Sequence, residues 1–151
     1  MTLFELFTVV KDVATFVGVA IAAWSLLITA RTNRAKFWLE LRTSFAKHDD
    51  VHRALRPGGK WADSKGPTTI DEYAQIEAYM GLLEHCEIML SQRLVDEATF
   101  REIYQYRLKN LVANKWVREE KLCRCADGWA RFIALLDRMQ VKYWCPKPSY
   151  A

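Results

Sequence analysis

Glycine and proline are scarce in this chain, with six glycines and four prolines among 151 residues. The prolines fall at positions 57, 67, 146 and 148, so two long stretches contain no residue that must break a helix. No run alternates apolar and polar side chains as a half-buried strand would, which argues against a sheet. No internal repeat or low-complexity tract is present. Arg56-Pro57-Gly58-Gly59-Lys60 lacks the spacing of a phosphate-binding loop and has no following Ser or Thr, and there is no nucleophile elbow. These absences leave an all-α chain with no common nucleotide-hydrolysis or acyl-transfer motif.

Charge is missing from one place above all. The eighteen residues Val13 to Ala30 carry none. As a helix they reach about 27 Å, close to the ~30 Å hydrocarbon core of a bilayer. A soluble core helix of this length would show a polar face. Here only Thr15, Ser25 and Thr29 are polar, and each hydroxyl can return to the helix backbone. A cleavable signal peptide would want early positive charge, whereas the first ten residues hold Glu5 and no Lys or Arg. An interfacial helix would need a charged face. The segment therefore reads as a transmembrane helix, with Trp24 placed as an aromatic anchor nearer its C-terminal end.

Its flanks give a direction. Arg31, Arg34 and Lys36 follow the span, against Lys11 with Glu5 and Asp12 before it. The positive-inside rule puts the following domain in the cytoplasm of a single-pass cell-membrane protein. The expected division is a short extracytoplasmic N-terminus (1–12), the span (13–30), a helical cytoplasmic domain (31–140) and an extended tail (141–151). Gly18 and Ala22 would allow close approach of a second span.

About 120 residues remain, enough for one helical bundle of about four helices. The span is expected to continue into Thr32–Leu55, where Phe37, Leu41 and Phe45 recur every four residues, until Arg56-Pro57 stops it. Trp61, in the following loop, is an exposed anchor or a lid on the core. Thr69-Ile70-Asp71-Glu72 has capping-box spacing and opens a helix to about Gln92. Asp96 caps the next, to about Asn114, and a last helix lies between Val117 and Gln140. Tyr143 and Trp144 in the tail are either packed back or presented to a partner. The four cysteines suit a reduced compartment. Cys86 sits in an apolar helical pattern, and Cys123 and Cys125 form a C-x-C pair without a second ligand motif.

The short connection around Arg93–Asp96 makes the two middle helices candidate antiparallel neighbours. Facing positions in such a hairpin share a constant sum, which aligns Leu90 with Tyr104, Glu87 with Arg107, and Leu83 with Leu111. The expectation is a semi-buried Glu87–Arg107 ion pair with a structural role.

Candidate chemistry is limited. His48-Asp49-Asp50-Val51-His52 places two imidazoles at i and i+4, as in a zinc-binding helix, with Asp where the zincins have Glu. No third His follows. The bland alternative is a solvated helix end. Charge is also uneven: residues 37–100 hold seven basic and eleven acidic side chains, residues 101–151 eleven and five. Lys109, Lys115, Trp116, Arg118, Lys121 and Arg124 form a possible binding patch for an anionic leaflet, an acidic protein, a nucleotide or nucleic acid. The alternative is an ordinary solvated face with Glu119 and Glu120 interspersed.

The run RTNRAKFWLELR and the hairpin AYMGLLEHCEIMLSQRLVDEATFREIYQYRLKN together resemble a domain-of-unknown-function family of small bacterial N-terminally membrane-anchored helical proteins. The residues that match its pattern are Glu84 or Glu87, Leu94, Asp96, Phe100 and Arg107. The Cys123–Cys125 stretch and the Trp-Cys-Pro tail depart from it. The resemblance implies an anchored helical domain and brings no activity with it. The expected role is an accessory, regulatory or scaffold protein, without a cofactor, whose partners are the bilayer and a protein or a second copy. The alternative is a membrane-tethered sensor that binds a nucleotide or nucleic acid. A metal-dependent hydrolase built on His48 and His52 is the outsider.

Overall fold

The computed structural model describes residues 3–62 and 65–145, and side chains from Thr15 onward. Among these residues the regular structure is all helical, with no strand. Helix α1 runs Leu3–Ala46, so Lys11 and Asp12 do not interrupt it. The chain divides into two compact units, residues 1–40 and 41–151. The first holds α1 as far as Glu40. Every residue from Thr15 to Lys36 is exposed, Phe16, Trp24 and Leu26 by 79%, 68% and 72%. Thr29 Oγ1 donates to Ser25 O at 2.9 Å, the hydroxyl return that an apolar surrounding favours. This helix is long and apolar enough to cross a membrane.

The second unit opens with the last residues of α1. The helix expected through Leu55 instead breaks at Lys47-His48, where His48 N bonds to Phe45 O at 3.0 Å, and α2 (Asp49–Leu55) follows. Trp61 is a lid: it is 2% exposed, and its N–H donates to Ala54 O at 2.9 Å. Helix α3 (Ile70–Ser91) starts where Thr69 Oγ1 accepts from Glu72 N at 3.3 Å. The Glu72 carboxylate accepts from Thr68 N at 2.7 Å and from Lys60 Nζ at 2.8 Å, so the capping box closes one residue early. Helix α4 (Glu97–Ala113) starts on Asp96, which accepts from Thr99 N at 2.8 Å.

The expected last helix is three pieces: a π-helical segment Val117–Arg124, a 3₁₀ turn Ala126–Trp129, and α5 (Ala130–Arg138). Both α3 and α5 end in Schellman geometry on a non-glycine residue. Arg93 (φ 57) and Gln140 (φ 56) take the left-handed position, and Leu94 N and Val141 N reach back to Met89 O and Leu136 O.

Packing differs from the simple hairpin. α3 lies against α5, and α2 lies on α4 and α3. The end of α1 inserts Phe45, 1% exposed, between the two middle helices: its ring stacks on Tyr104 at 4.1 Å and meets Tyr79 edge-on at 6.3 Å. Ile76, Met80 and Leu83 of α3, Leu108 and Leu111 of α4, and Phe132, Leu135 and Leu136 of α5 are fully buried. At about 1.5–3 kcal/mol per large apolar side chain, this layer is the main stabilising term.

Candidate functional site

The residues of the His48–His52 motif meet α4 and α3 in a polar cluster beneath α2. Arg107 Nη2 donates to Asp49 Oδ1 at 2.8 Å, and Arg107 Nε donates to the Tyr106 hydroxyl at 3.2 Å. The guanidinium carbon stands 5.3 Å from the Phe45 ring centroid. His52 is buried and meets Tyr106 edge-on at 5.2 Å. Burial, then the neighbouring Arg107 charge, pushes its imidazole down to about 4. His48, 5.6 Å from the Tyr79 ring, is also lowered, by burial and then by Lys47. Tyr79 is wholly buried with its hydroxyl against the guanidinium, and burial raises it to about 12.

Buried His52 Nδ1 lacks a hydrogen-bond partner among the described residues, while the Tyr79 hydroxyl and the Arg107 guanidinium interact with each other. Such a cluster is usually completed by water. It holds a neutral imidazole beside a fixed cation, an arrangement that orders α2 on α4. It does not suit a cation. Arg107 already engages Asp49, its charge repels a metal at His52, and no three His, Cys, Asp or Glu gather among the described residues. Among the described residues no third ligand joins His48 and His52.

The Glu87–Arg107 pair does not form. Glu87, 6% exposed, accepts instead from Arg138 of α5, with Nη2 to Oε1 at 2.7 Å and Nε to Oε2 at 2.9 Å. Arg138 Nη1 also reaches Glu97 Oε2 at 3.4 Å. The helices do not pair in that register, because α3 turns the Glu87 face to α5, while Arg107 looks to α2 across the wedge made by Phe45. Neither partnership has a local signal: Arg107 and Asp49 are 58 residues apart, Glu87 and Arg138 51.

The basic patch is dispersed and largely neutralised. Lys121 bonds to Glu77 and lies over Trp116 at 5.2 Å. Arg124 pairs with Glu120 at 2.6 Å, and Lys115 approaches Glu119 at 3.9 Å. Arg118 Nη1 donates to Val112 O at 3.1 Å, capping the carbonyl end of α4. Asn114, 1% exposed, locks the same junction: Nδ2 donates to Trp61 O and to Lys65 O (2.8 Å), and Oδ1 accepts from Val117 N at 3.0 Å. Of the patch, Lys109 alone stands exposed without an acidic partner among the described residues. Beyond the apolar stretch of α1, Arg31, Arg34 and Lys36 are all exposed.

The cysteines depart from a uniformly reduced set. Cys123 and Cys145 form a disulfide with Cα atoms 5.6 Å apart, Cys125 is free and exposed, and Cys86 is buried, its thiol raised to about 12 by burial. The bridge ties the tail to the π-helical segment, and residues of α4, Arg118 and the tail residues Lys142, Tyr143 and Trp144 line an open groove of about 680 Å³. The tail beyond Cys145 lies outside the described residues. No family model, curated protein or solved structure matches this chain.

Proposed function

We propose that this chain is a single-pass membrane protein, N-terminus outside, whose helical domain acts in the cytoplasm as an accessory or scaffold subunit through protein contacts. The observation that carries this reading is the exposure of every side chain from Thr15 to Ala30, on all faces of one uncharged stretch of α1. That surface needs an apolar surrounding, and the length of the helix fits a bilayer. The exposed cations Arg31, Arg34 and Lys36 supply the direction. The long-range ion pairs Arg107–Asp49 and Arg138–Glu87 hold the helical domain together as a unit that can present a binding surface.

One observation favours the opposite orientation. Disulfides persist in oxidising compartments, so the Cys123–Cys145 bridge is at home outside the membrane. Exposed Cys125 separates the two topologies. A membrane-impermeant maleimide should label it only after lysis; labelling of intact cells would reverse the assignment. Resistance of the chain to alkaline carbonate extraction is expected, and its release into the wash would remove the span itself. The subunit role is tested by purification from solubilised membranes with and without nuclease. A stoichiometric membrane partner or second copy supports it, and nuclease-sensitive or nucleotide-dependent assembly opposes it.

A further inference from the structure

The groove between α4 and the tail has a construction that the adapter role does not use. Its floor is apolar, from Val112 and Val141, both buried. Three cations reach it from separate segments: Lys109 on α4, Arg118 on the π-helical segment and Lys142 on the tail. Among the described residues neither Lys109 nor Lys142 has an acidic partner, unlike Lys115, Lys121 and Arg124. Asp137 lines an adjoining cavity, which shares Gln140, Val141, Lys142 and Tyr143 with this one. Trp144 is 70% exposed, so its ring is available for stacking. The volume of about 680 Å³ lies within the ~300–1,000 Å³ common for ligand pockets.

The wall that carries Lys142, Tyr143 and Trp144 is a strap three residues long. At one end Val141 is buried, and its N–H bonds to Leu136 O at 2.8 Å; Gln105 Nε2 also holds Met139 O at 2.8 Å. At the other end Cys145 is held by its bridge to Cys123. Among the described residues the bridge is the covalent fastening at that end.

We propose that this groove binds a nucleoside phosphate, with the base stacked on Trp144 and the phosphates between Lys109 and Lys142, and that the Cys123–Cys145 bridge keeps the site assembled. Exposed rings give a base its stacking platform, and unpaired ammonium groups act as point charges for a polyphosphate. Opening the bridge takes two electrons from a dithiol. One thiolate attacks a bridge sulfur, the second thiol displaces the mixed disulfide, and Cys123 and Cys145 leave as thiols while the dithiol becomes a cyclic disulfide. Binding is therefore expected in the oxidised protein and weakened in the reduced one.

The test is isothermal titration of the full chain, in uncharged detergent, with ATP and separately with inorganic phosphate. ATP is expected to bind, and Trp144→Ala to weaken it roughly tenfold. Lys109→Ala with Lys142→Ala should weaken it further, while Lys115→Ala leaves it unchanged. Dithiothreitol and Cys145→Ser should each reproduce a loss of tenfold or more, with helical circular dichroism unchanged. No ATP binding to the oxidised protein overturns the proposal. So does inorganic phosphate binding as tightly as ATP, or binding indifferent to reduction. Retention on anionic vesicles that Lys109→Ala and Lys142→Ala abolish, without ATP binding, assigns the groove to lipid headgroups and overturns it equally.

Discussion

The exchange of partners between Glu87 and Arg107 yields the sharpest test of the fold. Glu87 is buried and takes three hydrogen bonds from the Arg138 guanidinium, whose side chain is 32% exposed. A fully buried pair broken from one side costs about 3–5 kcal/mol, and an exposed pair couples by about 0.2–1 kcal/mol. Half-buried bidentate geometry lies between these limits. Glu87→Gln should lose about 2–3 kcal/mol, and the Glu87→Gln, Arg138→Gln cycle should couple by about 1–2 kcal/mol. The same cycle between Glu87 and Arg107 should be additive within about 0.5 kcal/mol, because each has its own partner. The measurement is urea unfolding of the detergent-solubilised chain followed by circular dichroism. Coupling of Glu87 to Arg107 rather than Arg138 would restore the direct hairpin and refute the placement of α5.

Four further outcomes follow from named contacts. Phe45→Ala removes the ring stacked between the middle helices and should cost about 3–5 kcal/mol in the same unfolding assay; a loss below 1 kcal/mol would mean the wedge is absent. Asn114→Leu leaves two carbonyls and the Val117 N–H without their partner, and about 2–4 kcal/mol should be lost, with faster amide exchange at Val117. His52 binds its proton less readily folded, at about 4, than unfolded, near 6.5, so its contribution is intact above pH 6.5 and declines as pH falls toward 4. His52→Gln should flatten the stability profile across that window, and an unchanged slope would place the imidazole in solvent. Arg93→Gly relieves a left-handed residue at the end of α3 and should stabilise by about 0.5–1 kcal/mol; a loss would mean that the Arg93 side chain has a stabilising role of its own.

Local rules made much of the architecture legible. Thr69 and Asp96 cap the helices they were expected to cap, because an N-cap is decided by a side chain and the backbone three residues on. The apolar run was equally plain, since length and absence of charge are properties of one segment. The break at Lys47-His48 was not visible. No proline or glycine marks it; it falls just after Phe45, whose ring packs between Tyr79 and Tyr104. Likewise, the hairpin register assumed that the helices joined by the shortest loop share their best faces. Phe132, Leu135 and Leu136 of α5 outcompete α4 for α3, and Glu87 goes with them to Arg138. Nor could pattern alone reveal that most of the basic patch is already neutralised, because Glu77 comes from another helix altogether.

The span and the bridge make opposing statements about the same domain, and the chemistry says how they can coexist. In the proposed topology the basic flank of Arg31, Arg34 and Lys36 would impose its bias once, at insertion. The bridge is an equilibrium, and its position follows the surrounding redox poise at any later time. A cytoplasmic domain would keep Cys123 and Cys145 largely as thiols, while its core retains Met139 and Val141, which are buried independently of them. The helices would stand, and only the strap from Lys142 to Trp144 would lose its second anchor. An extracytoplasmic domain would hold the bridge permanently and gain roughly 3 kcal/mol from a loop closed across 22 residues. The compartment therefore decides whether Cys123–Cys145 is a fixed staple or a reversible latch. Maleimide labelling of Cys125 determines the side, and with it which of the two chemistries this chain uses.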